Sequence, residues 1–272
     1  MSKWLFIMVL FIIAPLSQTP FAQEKPVIDE QPEWLLSTIK DSLTVESDST
    51  MTIHHQYGDV RVEAGDTDRI QITAVAQHHR DDPREAKVNF LTNKIPGQKD
   101  HYEVNVDFAH LEIMEHESWT KRRIDIGILI PADMSFKIET EDVIIEAKKI
   151  QANAELNSMR GDIIYDGNGN ISAETARGAI LARLYDTHDH HKVDLSTLTG
   201  KIHCVFLEQA NATIIASTRG TISTDYSIDI NRPSGSVLKQ GKVQIGEKGS
   251  MVVVESHNGN IKLEGLIVPE DE

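Results

Sequence analysis

The sequence predicts an all-β protein: a single-stack β-solenoid with coils of roughly 20 residues, preceded by an antiparallel β cap or small sandwich. Three observations predict it. Glycines recur at Gly161, Gly178, Gly200, Gly220, Gly241 and Gly259, with spacings of 17, 22, 20, 21 and 18 residues. Two places after each of them, and after Gly58, stands a β-branched apolar residue: Val60, Ile163, Ile180, Ile202, Ile222, Val243 and Ile261. On both sides of the glycine apolar and polar residues alternate, which is the period of a strand and not of a helix.

The elements follow in chain order. Residues 1–22 read as a signal peptide: Lys3, an apolar run from Trp4 to Ala14, then Pro20-Phe21-Ala22 before the first acidic residue. The run is about half the length a membrane-spanning helix needs, although a retained anchor is the competing reading. No later segment is long and apolar enough to span. Residues 23–41 read as a polar, proline-bearing arm with one helical turn around Trp34 to Ile39.

Residues 42–135 read as the cap, with antiparallel strands at Ile70 to Ala76, Lys87 to Thr92, Tyr102 to Phe108 and Arg123 to Ile130. Residues 136–268 read as the solenoid. Its first coil, around Ile138 to Ile145, lacks the glycine and begins the stack. In the other coils the glycine is expected to supply a positive φ at the turn. Five places before it come Ile53, Leu156, Ala173, Leu195, Ile215, Ser236 and Val254. Three places before it come the hydroxyls of Ser158, Thr175, Thr197, Ser217 and Ser256, expected to bond to local backbone or to one another. Ile180, Ile202 and Ile222 are expected to stack in successive coils, about 4.8 Å apart. The tail, residues 269–272, is acidic and would frustrate pairing at the far edge. An irregular sandwich with coincidental glycines is the competing architecture.

The chain has 27 basic against 42 acidic residues, a formal charge of −15. A field of that sign repels phosphate backbones, so nucleic-acid binding is excluded as a function class, and anionic lipid surfaces are poor partners. The single cysteine, Cys204, cannot form an internal disulfide, so stability must come from a core. Alternation puts Cys204 on one face with Ile202 and Phe206, where it reads as a small buried hydrophobe.

The order His55-Gln56-Tyr57-Gly58-Asp59-Val60-Arg61-Val62, then Arg123-Ile124-Asp125-Ile126-Gly127-Ile128-Leu129-Ile130-Pro131 leading into Phe136-Lys137-Ile138-Glu139-Thr140, then repeated Ser/Thr-x-x-Gly-x-Ile units, spans about Ser42 to Val268. In this order the chain resembles the putative adhesin family of exported bacterial proteins, whose defining domain has no established function. The resemblance implies an exported β-solenoid and carries over no site residue. The missing glycine near Asp142 departs from the pattern.

Two clusters are candidates for chemistry. His188 and His190 fall on one side of an extended segment, with Asp186 or His191 as a third donor, which is a spacing that can hold a metal. A solvated polar loop is the competing reading. Arg160, Arg177 and Arg219 each stand just before a repeat glycine, so they would line one edge and could clamp carboxylates or simply be solvated. No catalytic or cofactor motif is present, no cofactor is implied, and aromatic residues are only 6% of the chain, a poor platform for stacking on sugars. The reading is a non-catalytic exported envelope protein, periplasmic or secreted/cell-surface in a bacterium, which binds or scaffolds an envelope protein or glycan. The alternative is a polysaccharide-processing lyase or hydrolase on the same architecture.

Overall fold

Segments that alternate apolar and polar residues become strands with one buried face, and they assemble by placing those faces in register. The computed structural model describes residues 34–46, 48–56, 58–79, 86–93, 99–108, 122–185, 191–207, 210–247 and 249–266. These residues belong to one unit, Glu33–Glu272. No helix occurs among them.

The strands of the first part are β1 (Trp34–Thr44), β2 (Thr50–His55), β3 (Val60–Gly65), β4 (Arg69–His79), β5 (Ala86–Asn93), β6 (His101–Phe108) and β7 (Arg122–Pro131). Next come β8 (Ser135–Thr140), β9 (Ile145–Ile150), β10 (Ala154–Ser158), β11 (Ile163–Gly167), β12 (Ile171–Arg177), β13 (Ile180–Leu184), β14 (Lys192–Thr199) and β15 (Ile202–Leu207). The last are β16 (Ala212–Thr218), β17 (Ile222–Thr224), β18 (Ile228–Asn231), β19 (Lys239–Ile245), β20 (Ser250–Ser256) and β21 (Ile261–Leu266).

They form two mixed sheets. Sheet A has 10 strands in the order β1-β4-β7-β3-β9-β11-β13-β15-β21-β17. Sheet B has 11 in the order β18-β19-β16-β20-β14-β12-β10-β8-β2-β6-β5. Each strand–turn–strand unit gives one strand to each sheet, and eight such units pair in parallel with their neighbours. In sheet A the residue two places after the turn forms one column: Ile126, Val60, Ile145, Ile163, Ile180, Ile202, Ile261 and Ile222. All but the partly buried Ile222 belong to a single buried core shared by both sheets. Burying one such side chain stabilises by about 1.5–3 kcal/mol, against about 0–1 kcal/mol for an exposed ion pair. The apolar columns therefore hold the fold, and the surface charges do not.

Several expectations change. Ile180 and Ile202 are direct partners, but Ile261, not Ile222, pairs with Ile202. The last unit in the chain, β20–β21, lies between β14–β15 and β16–β17. The same happens at the other end, where β6–β7 stacks outside β2–β3 although it comes later in the chain. Of the expected cap strands, β4 and β5 are antiparallel, whereas β6 and β7 join the parallel stack. The glycine-less unit, β8–β9, is third in the stack and does not begin it. Gly241 lies inside β19, which runs antiparallel to β16, so it marks no turn. A Cβ there would come within 2.5 Å of Ile228, so the glycine makes room for that side chain. Trp34 to Ile39 is not a helical turn but the start of β1, paired antiparallel with β4 across the expected boundary at residue 41. The signal segment and the acidic tail lie outside the described residues.

Of the repeat glycines only Gly58 has the expected positive φ, +125; Gly161, Gly178, Gly200, Gly220 and Gly259 serve close approach instead. Positive φ among the described glycines is confined to Gly58, Gly235 and Gly246. A Cβ on Gly178 would lie 2.2 Å from the carbonyl oxygen of Gly161, and one on Gly200 would lie 1.8 Å from that of Gly178. On Gly259 it would meet the Gly200 oxygen at 1.6 Å, and on Gly220 the Gly259 oxygen at 2.2 Å. Each turn rests directly on the turn of the neighbouring unit. The hydroxyl ladder ties the same atoms: Thr175 donates to Gly161 O at 3.0 Å, Thr197 to Gly178 O at 3.1 Å and Ser256 to Gly200 O at 2.7 Å. At the outermost unit Thr218, not Ser217, fills the column and donates to Gly259 O, because that turn is one residue shorter.

Candidate functional site

The outward faces of the strands carry the side chains available to a partner. On sheet B they form a groove of about 550 Å³ that crosses β14, β12, β10, β8, β2 and β6. One wall is the outward row Thr52, Lys137, Glu155, Ser172 and Asp194, and the other is Thr50, Ser135, Asn153, Asn170 and Lys192. The rows arise because each strand repeats the same alternation in register, so equivalent outward residues line up one strand spacing apart.

The groups in the groove are already paired with one another. Lys137 Nζ lies 2.9 Å from both Glu139 and Glu155. Its bond to Glu139, then that to Glu155, holds the ammonium above its ordinary range. The Lys137 bond in turn holds the Glu155 carboxyl below the usual carboxylate range, and burial opposes this only in part. Asn157 adds a donor to Glu155 at 3.0 Å. Lys192 contacts Asp194 at 2.6 Å. Asn170 donates to Asn153 Oδ1 at 2.8 Å and accepts from the Lys192 backbone N–H at 2.7 Å. At the far end the Thr50 hydroxyl is 2.9 Å from His101 Nδ1. A second groove, of about 410 Å³, lies on sheet A over Gly127, between Arg61, Glu146 and Lys148 on one side and Gln71 and Thr73 on the other.

The residues singled out from the sequence are only partly brought together. Arg160 and Arg177 occupy neighbouring units, with Arg160 3.3 Å from Asp142. Thr199 pairs with Arg177, and Asn258 occupies the next unit, so two units separate Arg177 from Arg219. The three arginines therefore do not form one contiguous row. Asp186, His188 and His190 lie outside the described residues. His191 is partly buried, and its backbone N–H donates to Ser250 Oγ at 3.1 Å. No group of three or more His, Cys, Asp or Glu is placed to hold a metal among the described residues. Cys204 is fully buried between the sheets, and burial pushes its thiol up to about 12.

Sequence reasoning missed the groove residues. Their signal was present at fixed offsets: Thr52, Glu155, Ser172 and Asp194 stand six places before Gly58, Gly161, Gly178 and Gly200, and Thr50, Asn153, Asn170 and Lys192 stand eight places before.

Unlike the ladder hydroxyls, His55 occupies their column with an imidazole. It is buried, and Nε2–H donates to Ile124 O at 2.7 Å, the atom equivalent to the glycine carbonyl of other units. Its Nδ1, beside the Val106 backbone, makes no well-formed hydrogen bond. Burial holds the imidazole below its ordinary pKa, opposed by the backbone contacts and by Asp125 and Asp59.

No family model matches the sequence, and no curated protein matches it. Similar solved structures include a putative cell adhesion protein from Clostridium sporogenes, 11% identical, covering 85% of this chain and 100% of that one, with a TM-score of 0.45. A putative adhesin from Bacteroides fragilis is 12% identical over 84% of this chain and 97% of its own, with a TM-score of 0.36. A putative adhesin from Parabacteroides merdae is 11% identical over 85% and 96%, with a TM-score of 0.28.

Proposed function

We propose that this chain is a non-catalytic exported protein of the bacterial envelope, periplasmic or surface-associated. It binds or scaffolds an envelope protein or glycan through the outer face of a single-stack β-solenoid. The observation that supports this reading best is the groove of sheet B, an elongated surface built on rows that the core holds in register. A hydrolase on this architecture needs a carboxyl group kept protonated near neutral pH to act as an acid. Glu155, in the groove, is displaced in the opposite direction by Lys137. The arginines at the turns are a second proposed contact surface for carboxylates. The segment with Asp186, His188, His190 and His191 is a proposed metal site, tested by the metal content of the purified protein.

The test is affinity capture of the mature protein against its own envelope fraction, alongside assays for polysaccharide cleavage. The expected result is a reproducible envelope partner and no turnover. Release of shortened polysaccharide by the purified protein would overturn the reading in favour of an enzyme.

A further inference from the structure

We propose that the sheet B groove is a site for one linear, uncharged glycan chain laid across the strands. This rests on the reading of the protein as an envelope-binding protein and names the ligand class. The groove runs across six strands, five strand spacings or about 24 Å, so its shape suits a polymer segment better than a compact metabolite.

Every strand beneath it has a hydrogen-bonded neighbour on both sides. An extended peptide therefore finds no open edge to pair with, and main-chain augmentation is not available there. Recognition must come from side chains, which repeat once per strand, about every 4.8 Å, a spacing close to one sugar unit of an extended chain.

The charges argue for a neutral ligand. Lys137 is held between Glu139 and Glu155, and Lys192 is held by Asp194. A charged ligand would have to displace one of these partners, and a polyanion would also meet the formal charge of −15. Hydroxyl groups, which both donate and accept, can bond to the same ammonium and carboxylate groups without separating them. The Asn153–Asn170 pair, fixed by its mutual bond and by the Lys192 backbone, has further amide N–H donors beyond that bond. The aliphatic stems of Lys137 and Lys192 and the methyls of Thr50 and Thr52 supply apolar surface for the C–H faces of sugar rings.

The experiment is calorimetric titration of the mature protein with cello-, malto- and N-acetylchito-oligosaccharides of two to eight units, with oligogalacturonate and an extended polar peptide as comparisons. The expected result is binding of a neutral series whose affinity rises with length and levels off at about five units, the number of strand spacings crossed. Replacing Lys137 and Asn170 together by alanine should weaken it at least tenfold, while Arg61→Ala on the opposite sheet leaves it unchanged. On the wild-type chain, hydrogen-exchange protection by the same oligosaccharide should map to β8, β10 and β12, independently of how the variant folds. Binding of no neutral series, tighter binding of oligogalacturonate or of the peptide, or protection confined to sheet A would each overturn the proposal. If an envelope partner is still captured in that event, the broader function stands; if nothing is captured, that reading falls as well.

Discussion

Replacing Gly200 by alanine tests the central packing relation of the fold. An alanine Cβ at this position would lie 1.8 Å from the carbonyl oxygen of Gly178 and 2.7 Å from its carbon. Ordinary C···O contact begins near 3.3 Å, so the two turns must separate by more than an ångström. The neighbouring turn leaves no slack, because Gly259 rests in the same way on the Gly200 oxygen. Separation stretches the Thr197 bond to Gly178 O, now 3.1 Å, and the Gly178 N–H bond to Thr199 O, now 3.2 Å. Two hydrogen bonds at about 1 kcal/mol each, with about 1–3 kcal/mol of overpacking, give an expected destabilisation of about 3–5 kcal/mol. Urea unfolding followed by circular dichroism measures it, with the slope checked so that a change in midpoint reports stability.

Two companion variants separate close approach from backbone conformation. Gly235 has φ +79 with nothing within 4 Å of a new Cβ, so Gly235→Ala meets strain alone, about 1–2 kcal/mol. Asparagine tolerates a left-handed backbone better than alanine. If Gly200 served the turn by conformation, Gly200→Asn would be the milder change; close approach makes it the worse one. A Gly200→Ala protein within about 1 kcal/mol of wild type, or an asparagine variant more stable than the alanine one, would refute the reasoning.

The folded state favours neutral His55, so its contribution is complete above the unfolded pKa of about 6.5 and is lost as pH falls below that value toward the lowered folded pKa. Stability should therefore decline between about pH 6.5 and more acid conditions, and His55→Thr, which restores the ladder hydroxyl, should flatten that limb; an unchanged pH profile in the variant contradicts this. Buried Cys204, its thiol pushed up to about 12, should remain unreactive toward a disulfide reagent in the folded protein and titrate as one equivalent in denaturant. Rapid native labelling would show that the core between the sheets opens.

How far the sequence could be read depends on the range of the interaction concerned. The alternation around Ile163, Ile180 and Ile202 announced strands, inward faces and glycine turns, because these depend on neighbours two to five places away. The hydroxyls of Thr175 and Thr197 were legible as a ladder, and their acceptors, the carbonyls of the adjacent turn, became visible only once the units were stacked. Gly241 shows the limit of pattern matching: its surroundings fit the repeat, yet it lies in an antiparallel strand beside Ile228. In the groove, Glu155, Asn170 and Asp194 stood at regular offsets from the repeat glycines, whereas Lys137 belongs to the unit without one; an outward polar residue reads as solvated surface until the equivalent residues of the other units align with it.

The amino-acid sequence by itself determined the all-β class, the strand–turn–strand unit, the buried columns and the burial of Cys204. Tertiary structure alone decided the order of the units: Ile261 between Ile202 and Ile222, and β6–β7 outside β2–β3. The physical reason is that in-register parallel pairing needs only a matching inward column and a turn of the right height. Units of one pattern are interchangeable by local chemistry, and their places are settled by which arrangement covers both ends of the core with the antiparallel strands β4, β5 and β19.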